Sequence, residues 1–170
     1  MHFEICHEFD IPLDALELAV LSPDLVESLK LRLRDAPAVD QKEHDLEGHR
    51  MRRLWSFRGN VKVPSFAGRF ENVGKDVWAW DERLDYDLRR HASDWTIVPR
   101  VKPGWEKYFS GGGSYQLFPL GAGRSKRVVS GRVELRLPVV RGVAEKRMYQ
   151  ELKRTFDAEA ETLREMATLS

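Results

Sequence analysis

Through most of residues 39–138 apolar side chains fall at every second position, and from about Val143 they fall at every third and fourth. A strand turns successive side chains to opposite faces, whereas a helix gathers residues three and four apart on one side. A sheet and one long helix must therefore bury each other's apolar faces. The strand pattern is clearest in WAWDERLDYDLRR, Trp78 to Arg90. Trp78, Trp80, Glu82, Leu84, Tyr86, Leu88 and Arg90 share the inner face, and Ala79, Asp81, Arg83, Asp85, Asp87 and Arg89 the wet one. On the helix, expected over Val143 to Met166, the apolar stripe is Tyr149, Leu152, Phe156, Ala160, Leu163 and Ala167. Glu145, Lys146, Glu151, Lys153, Arg154, Asp157, Glu159, Glu161 and Arg164 read as its solvated side.

The remaining segments complete the order. Phe3, Ile5, His7 and Phe9 alternate with Glu4, Cys6 and Glu8 in a half-buried first strand. Two short helices follow, Leu13 to Val20 and Pro23 to Leu33, the second with Ser22 as cap and Pro23 at its first helical position. Strands are then expected near 39–46, 49–58, 76–90, 95–99, 107–119 and 125–138, with turns at Glu47-Gly48, His91 to Asp94, Pro103-Gly104 and Gly121 to Gly123 among others. Gly111, Gly112 and Gly113 mark a bulge, a sharp bend or a strand end. Residues 59–74 form a long, apolar connection, read as a lid, a membrane-touching edge or a loop whose Phe66 and Phe70 pack on the core.

The 170 residues are enough for one domain over 1–170, with a hydrophobic fraction of 42% and no apolar run of membrane-spanning length. With 28 Lys plus Arg against 27 Asp plus Glu, there is no general field to draw nucleic acid, and none is expected as a partner. Cys6 is the only cysteine, which excludes an internal disulfide and fits a cytoplasmic setting. The acidic start MHFEICHEFD reads as part of the fold rather than a secretory signal.

Three stretches, FEICHEFDIPLDAL, HDLEGHRMRRLWSF and RVELRLPVVRGVAEKRMYQELKRTFDAEAETLRE, together resemble the START-like (SRPBCC) superfamily, which includes birch-pollen-allergen relatives, steroidogenic lipid-transfer domains and polyketide aromatase/cyclases. The likeness, strongest to a bacterial branch, spans nearly the whole chain. It implies an α+β helix-grip fold: a curved antiparallel sheet of about seven strands wrapped around a long C-terminal helix, with two short helices after the first strand. It also implies a hydrophobic ligand between sheet and helix. Fold analogy does not settle activity.

Glu82 stands mid-strand among aromatics, where an unpartnered carboxylate costs several kcal/mol or takes up a proton. Met51, Arg53, Trp55 and Phe57 share the inner face of the preceding strand, so Arg53 is its expected partner. A structural ion pair is the plainer reading of the two, and a clamp for a ligand's head group the functional one. Trp55, Phe57, Trp78, Trp80, Leu84, Tyr86, Tyr115, Leu117, Leu152 and Phe156 are expected to line the cavity, or to be core; the hydroxyls of Tyr86 and Tyr115 are potential ligand contacts. His7, inward by parity, is a candidate base or a satisfied core histidine. His44 and His49 do not pair: across a turn at Glu47-Gly48, Leu46 would face His49 and His44 would face Met51, so no metal site is expected. The cluster Arg50, Arg52, Arg53, Arg58, Lys62 with Trp55 is split between two strand faces and reads as solvated charge.

The leading function is binding, with possible transport, of a hydrophobic small molecule or lipid. Against it stand an aromatase/cyclase-like enzyme using Glu82 or His7 as acid or base, and a protein-interaction module. No cofactor or obligate protein partner is expected, and membrane contact, if any, is transient and through residues 59–74.

Overall fold

The computed structural model describes residues 1–33, 38–58, 62–64, 70–72, 79–100, 109–136 and 141–169. The chain runs β1 (His2–Phe9), α1 (Leu13–Leu21), α2 (Leu25–Arg32), β2 (Ala38–Glu47), β3 (Arg50–Arg58), β4 (Lys62–Pro64), β5 (Phe70–Asn72), β6 (Ala79–Asp87), β7 (Ala92–Pro99), β8 (Phe109–Pro119), β9 (Ser125–Leu135) and α3 (Arg141–Thr168). Seven strands form one antiparallel sheet in the order β1-β9-β8-β7-β6-β3-β2, and β4 pairs only with β5.

The alternation holds where it was clearest. Glu82, Leu84 and Tyr86 are buried and Arg83 and Asp85 exposed; Met51, Arg53, Trp55 and Phe57 are buried on β3. It stops at Asp87, because residues 88–91 turn the chain, so Leu88 is only half-buried and Arg90 is exposed. That turn lies earlier than the expected His91 to Asp94, and His91 takes its positive φ of 51°. The β2–β3 turn is also shifted: Leu46 pairs with Met51 and His44 with Arg53, because Gly48 and His49 form the tip, with Gly48 at φ 59°. Pro23 precedes α2 rather than opening it, and Ser22 Oγ accepts from the Asp24 amide at 3.2 Å. Within the connection expected at 59–74, residues 62–64 and 70–72 are strands. The lid and membrane-edge readings rest mainly on residues outside those described, as does Trp78.

Gly111 to Gly113 neither end β8 nor interrupt its pairing with β7 and β9. They serve close approach. Gly113 faces Gly131 across β8 and β9, and a Cβ on Gly113 would overlap the Ser130 carbonyl. A Cβ on Gly131 would overlap the Trp95 ring, whose Nε1 donates to the Ser130 carbonyl at 3.3 Å. Bare backbone thus lets the indole lie down over β8 and β9.

The registers set the inward side chains in rows across the sheet. Phe57 and Trp80 form the first; Trp55, Glu82, Ile97, Gly111 and Val133 the second; Arg53, Leu84, Trp95, Gly113, Gly131 and Phe3 the third. Met51, Tyr86, Ser93, Tyr115, Val129 and Ile5 form the fourth, and Leu117, Arg127 and His7 the fifth. α3 comes closest to the sheet along β9 and β1 and packs beside α1 and α2. Leu152, Phe156, Ala160 and Leu163 are its buried stripe. Beyond the fourth row α1 closes the interior: Leu16 and Val20 are fully buried, and Glu17 accepts from the Tyr86 hydroxyl at 2.6 Å and from His91 Nδ1 at 2.8 Å.

Candidate functional site

Four charged side chains are buried between the sheet and α3: Arg53 at 3% exposure, Glu82 at 5%, Arg127 at 0% and Glu159 at 2%. Such groups persist in an interior only when paired. Arg53 Nη2 lies 3.6 Å from Glu82 Oε1 and donates to Glu159 Oε1 at 3.3 Å. Arg127 Nη1 donates to Glu159 Oε2 at 2.8 Å and to the Tyr115 hydroxyl at 3.4 Å, and its Nη2 donates to the Phe156 carbonyl at 2.7 Å. Glu159 thereby ties α3 to β3 through one oxygen and to β9 through the other.

The expected Arg53–Glu82 pair exists, but Glu82 stands opposite Trp55 and is the more distant of Arg53's two carboxylates. The solvated placement of Glu159 is corrected: it lies three residues after Phe156 and four before Leu163, inside the apolar stripe, and the buried arginines supply the charge that lets it stay there. Arg127 had a weaker signal. Parity with Val129 and Val133 turns it inward, but Val128 beside it blurs the alternation.

His7 faces inward, and both ring nitrogens are committed. Arginine only donates, so Nδ1 accepts from Arg127 Nη2 at 3.2 Å, and Nε2 carries the hydrogen given to Asp157 Oδ1 at 2.9 Å. Burial, then the Arg127 charge, lowers its pKa from the ordinary histidine value. Both ring nitrogens are thus engaged with protein partners. Burial works to raise Asp157, but hydrogen bonds from Lys153 and His7 outweigh it and hold the carboxyl below its ordinary value.

Glu82 is different. Desolvation pushes its pKa up to about 7, against the pull of Arg53 and with Glu159 adding to the rise. Burial likewise raises the Tyr115 hydroxyl to about 12, while the Tyr86 hydroxyl, buried and hydrogen-bonded to Glu17, is also raised. Both hydroxyls are already engaged with protein partners.

Polar atoms remain unused. Arg53 Nη1, Arg127 Nε and Trp80 Nε1 are buried without a hydrogen-bond partner among the described residues. The Arg53 guanidinium carbon lies 3.5 Å from the centroid of the Trp55 ring, so an aromatic face holds the cation in place. Phe57 and Trp80 stack at 5.2 Å and 11° beside it, and Trp95 meets Phe156 edge-on at 6.1 Å. At the end of the sheet where β1, β6 and β8 begin, Phe3, Trp80, Phe109, Met148 and Tyr149 are only half-buried. Among the described residues the interior is therefore closed and charged in its depth and apolar and less tightly covered at that end. His44 is elsewhere, with Nε2 bonded to the Leu21 carbonyl at 3.0 Å.

The architecture has counterparts among solved structures. Zhui aromatase/cyclase from Streptomyces sp. R1128 superposes with a TM-score of 0.63 over 99% of this chain and 93% of its own, at 14% identity. This chain has the START-like helix-grip fold. Ara h 8.0201 shares the fold at 15% identity and TM-score 0.62, covering 100% of this chain and 99% of its own. Norcoclaurine synthase from Thalictrum flavum does so at 15% identity and TM-score 0.59, over 95% of this chain and 86% of its own. That synthase has also been solved in complex with dopamine and hydroxybenzaldehyde. The sequence matches no protein-family model and no curated protein. At these identities the helix-grip likeness concerns the fold alone. Among the described residues no group of three or more His, Cys, Asp or Glu side chains is placed to hold a metal ion, and no helix is long and apolar enough to cross a membrane.

Proposed function

We propose that the protein binds a hydrophobic small molecule between its sheet and α3, entering at the end ringed by Phe3, Trp80, Phe109, Met148 and Tyr149. The observation that carries this is the sequence of environments along the inner face: half-buried aromatics first, then buried charges with unspent donors on Arg53 and Trp80. Apolar walls with a few oriented polar groups are what a small-molecule site requires. Trp55, Phe57, Leu84, Leu152 and Phe156 supply wall, and Arg53, Glu82 and Tyr115 set orientation. Tyr86 and Leu117 stand in the deeper rows, beneath α1. That a synthase of this fold holds two aromatic compounds supports the same reading. The single cysteine, Cys6, is free and exposed, which fits a reducing, cytoplasmic setting.

A second reading is favoured by one observation. With a pKa of about 7, Glu82 is suited to exchange a proton with a bound substrate near neutrality, as an aromatase/cyclase-like enzyme would require. Binding is tested first, with N-phenyl-1-naphthylamine as a neutral apolar probe. Saturable one-to-one fluorescence enhancement, weakened about tenfold or more by Trp80→Ala but not by Leu18→Ala on the exposed face of α1, is the expected result. No saturable binding, or equal loss in both variants, would overturn the reading.

A further inference from the structure

The buried cluster holds donors without acceptors among the described residues. Arg53 turns Nη2 toward both Glu82 and Glu159, while the buried Nη1 has no hydrogen-bond partner among the described residues. Trp80 Nε1, two rows nearer the half-buried end on the adjacent strand, is also a buried donor without an acceptor among the described residues. The N–H groups of Nη1 are left to donate to an anionic oxygen, and the guanidinium is held in place against the Trp55 face. We propose that the ligand is an apolar carboxylate, its anionic end received by Arg53 Nη1, and that Glu82 takes a proton from solvent as that anion enters. This rests on the ligand-binding reading above and names the class of ligand.

The charge balance requires the proton. Arg53 from β3 and Arg127 from β9 are offset by Glu82 from β6 and Glu159 from α3; Tyr115 from β8 is uncharged, and β7 contributes Ile97 opposite Glu82. His7 accepts from Arg127 at Nδ1 and donates to Asp157, which Lys153 also matches at 2.6 Å. A third carboxylate would set three anions against two cations in a buried site, a cost that protonating one of them removes. Glu82 is the one to yield. It holds Arg53 at 3.6 Å against 3.3 Å for Glu159, which Arg127 also holds, and desolvation pushes it up to about 7.

Isothermal titration calorimetry with 2-naphthoate, decanoate and their neutral primary amides tests this, in two buffers of different ionisation enthalpy. At about pH 6 at least one acid is expected to bind about tenfold or more tightly than its amide. By about pH 8 its affinity should fall about tenfold, with close to one proton taken up per ligand. Whichever acid binds better identifies the body, aromatic or aliphatic. Arg53→Met should bring the acid down to the amide's affinity, and Glu82→Gln should abolish both the pH dependence and the proton uptake. Amides that bind as well as acids, or acid binding at about pH 8 without proton uptake, would overturn the proposal while leaving a hydrophobic site intact. Failure of all four compounds to bind would remove that site and the proposal together. Should Arg53→Met not fold, the wild-type pH and buffer comparisons decide.

Discussion

Glu82 shows how one side chain's surroundings set its chemistry. Its carboxyl keeps its proton to about pH 7 in the folded protein, whereas an unfolded glutamate loses it near pH 4.5. Between those values the folded state binds the extra proton, so this group's contribution to stability falls as pH rises from about 4.5 to about 7 and is level above. Glu82→Gln, which cannot ionise, should remove that slope. Urea denaturation of both proteins is expected to show the wild type losing, relative to the variant, on the order of 3 kcal/mol across this interval. Parallel stability curves would mean that the carboxyl titrates alike in both states. At this scale the inward direction of Glu82, Arg53 and His7 was legible from parity alone. What each contacts was not, since Glu159 and Arg127 are 77 and 45 positions from Glu82 in the chain.

Among the elements, β8 and β9 show most clearly what local reading misses. Three consecutive glycines suggested interruption, because glycine weakens a strand. The structure keeps the strand and uses the absent side chains to seat Trp95. Gly131→Ala should therefore cost about 1–3 kcal/mol by forcing the Trp95 ring away, and Gly113→Ala at least as much because the obstruction is backbone. Gly48→Ala meets open space and pays only for its φ of 59°, about 1 kcal/mol. Chemical denaturation ranks the three, and the order fails if Gly48→Ala is the most damaging. α3 illustrates the converse: its period fixed the helix and most of its buried face. The place of Glu159 within that face followed from spacing, but its charge argued for solvent, and only the facing arginines reverse that argument.

For the molecule as a whole, the join between helix and sheet depends on charge as well as on apolar burial. Arg127→Met would leave Glu159 with only Arg53, and breaking one side of a buried ion pair costs about 3–5 kcal/mol. The double variant Arg127→Met, Glu159→Met should recover much of that loss, since two apolar side chains of similar size need no partner. Thermal and urea unfolding of the single and double variants measures the difference; a double loss equal to the sum of the singles would mean the two groups do not act together. The amino-acid sequence by itself determined the order of elements, the inward face of most strands and the presence of a carboxylate among aromatics, because those follow from side-chain periods acting over a few residues. The tertiary structure alone decided which charges share the interior, where the glycines are used and which end remains loosely covered. Each of these depends on strand register and on how close α3 comes to the sheet, and both are set by packing between residues far apart in the chain.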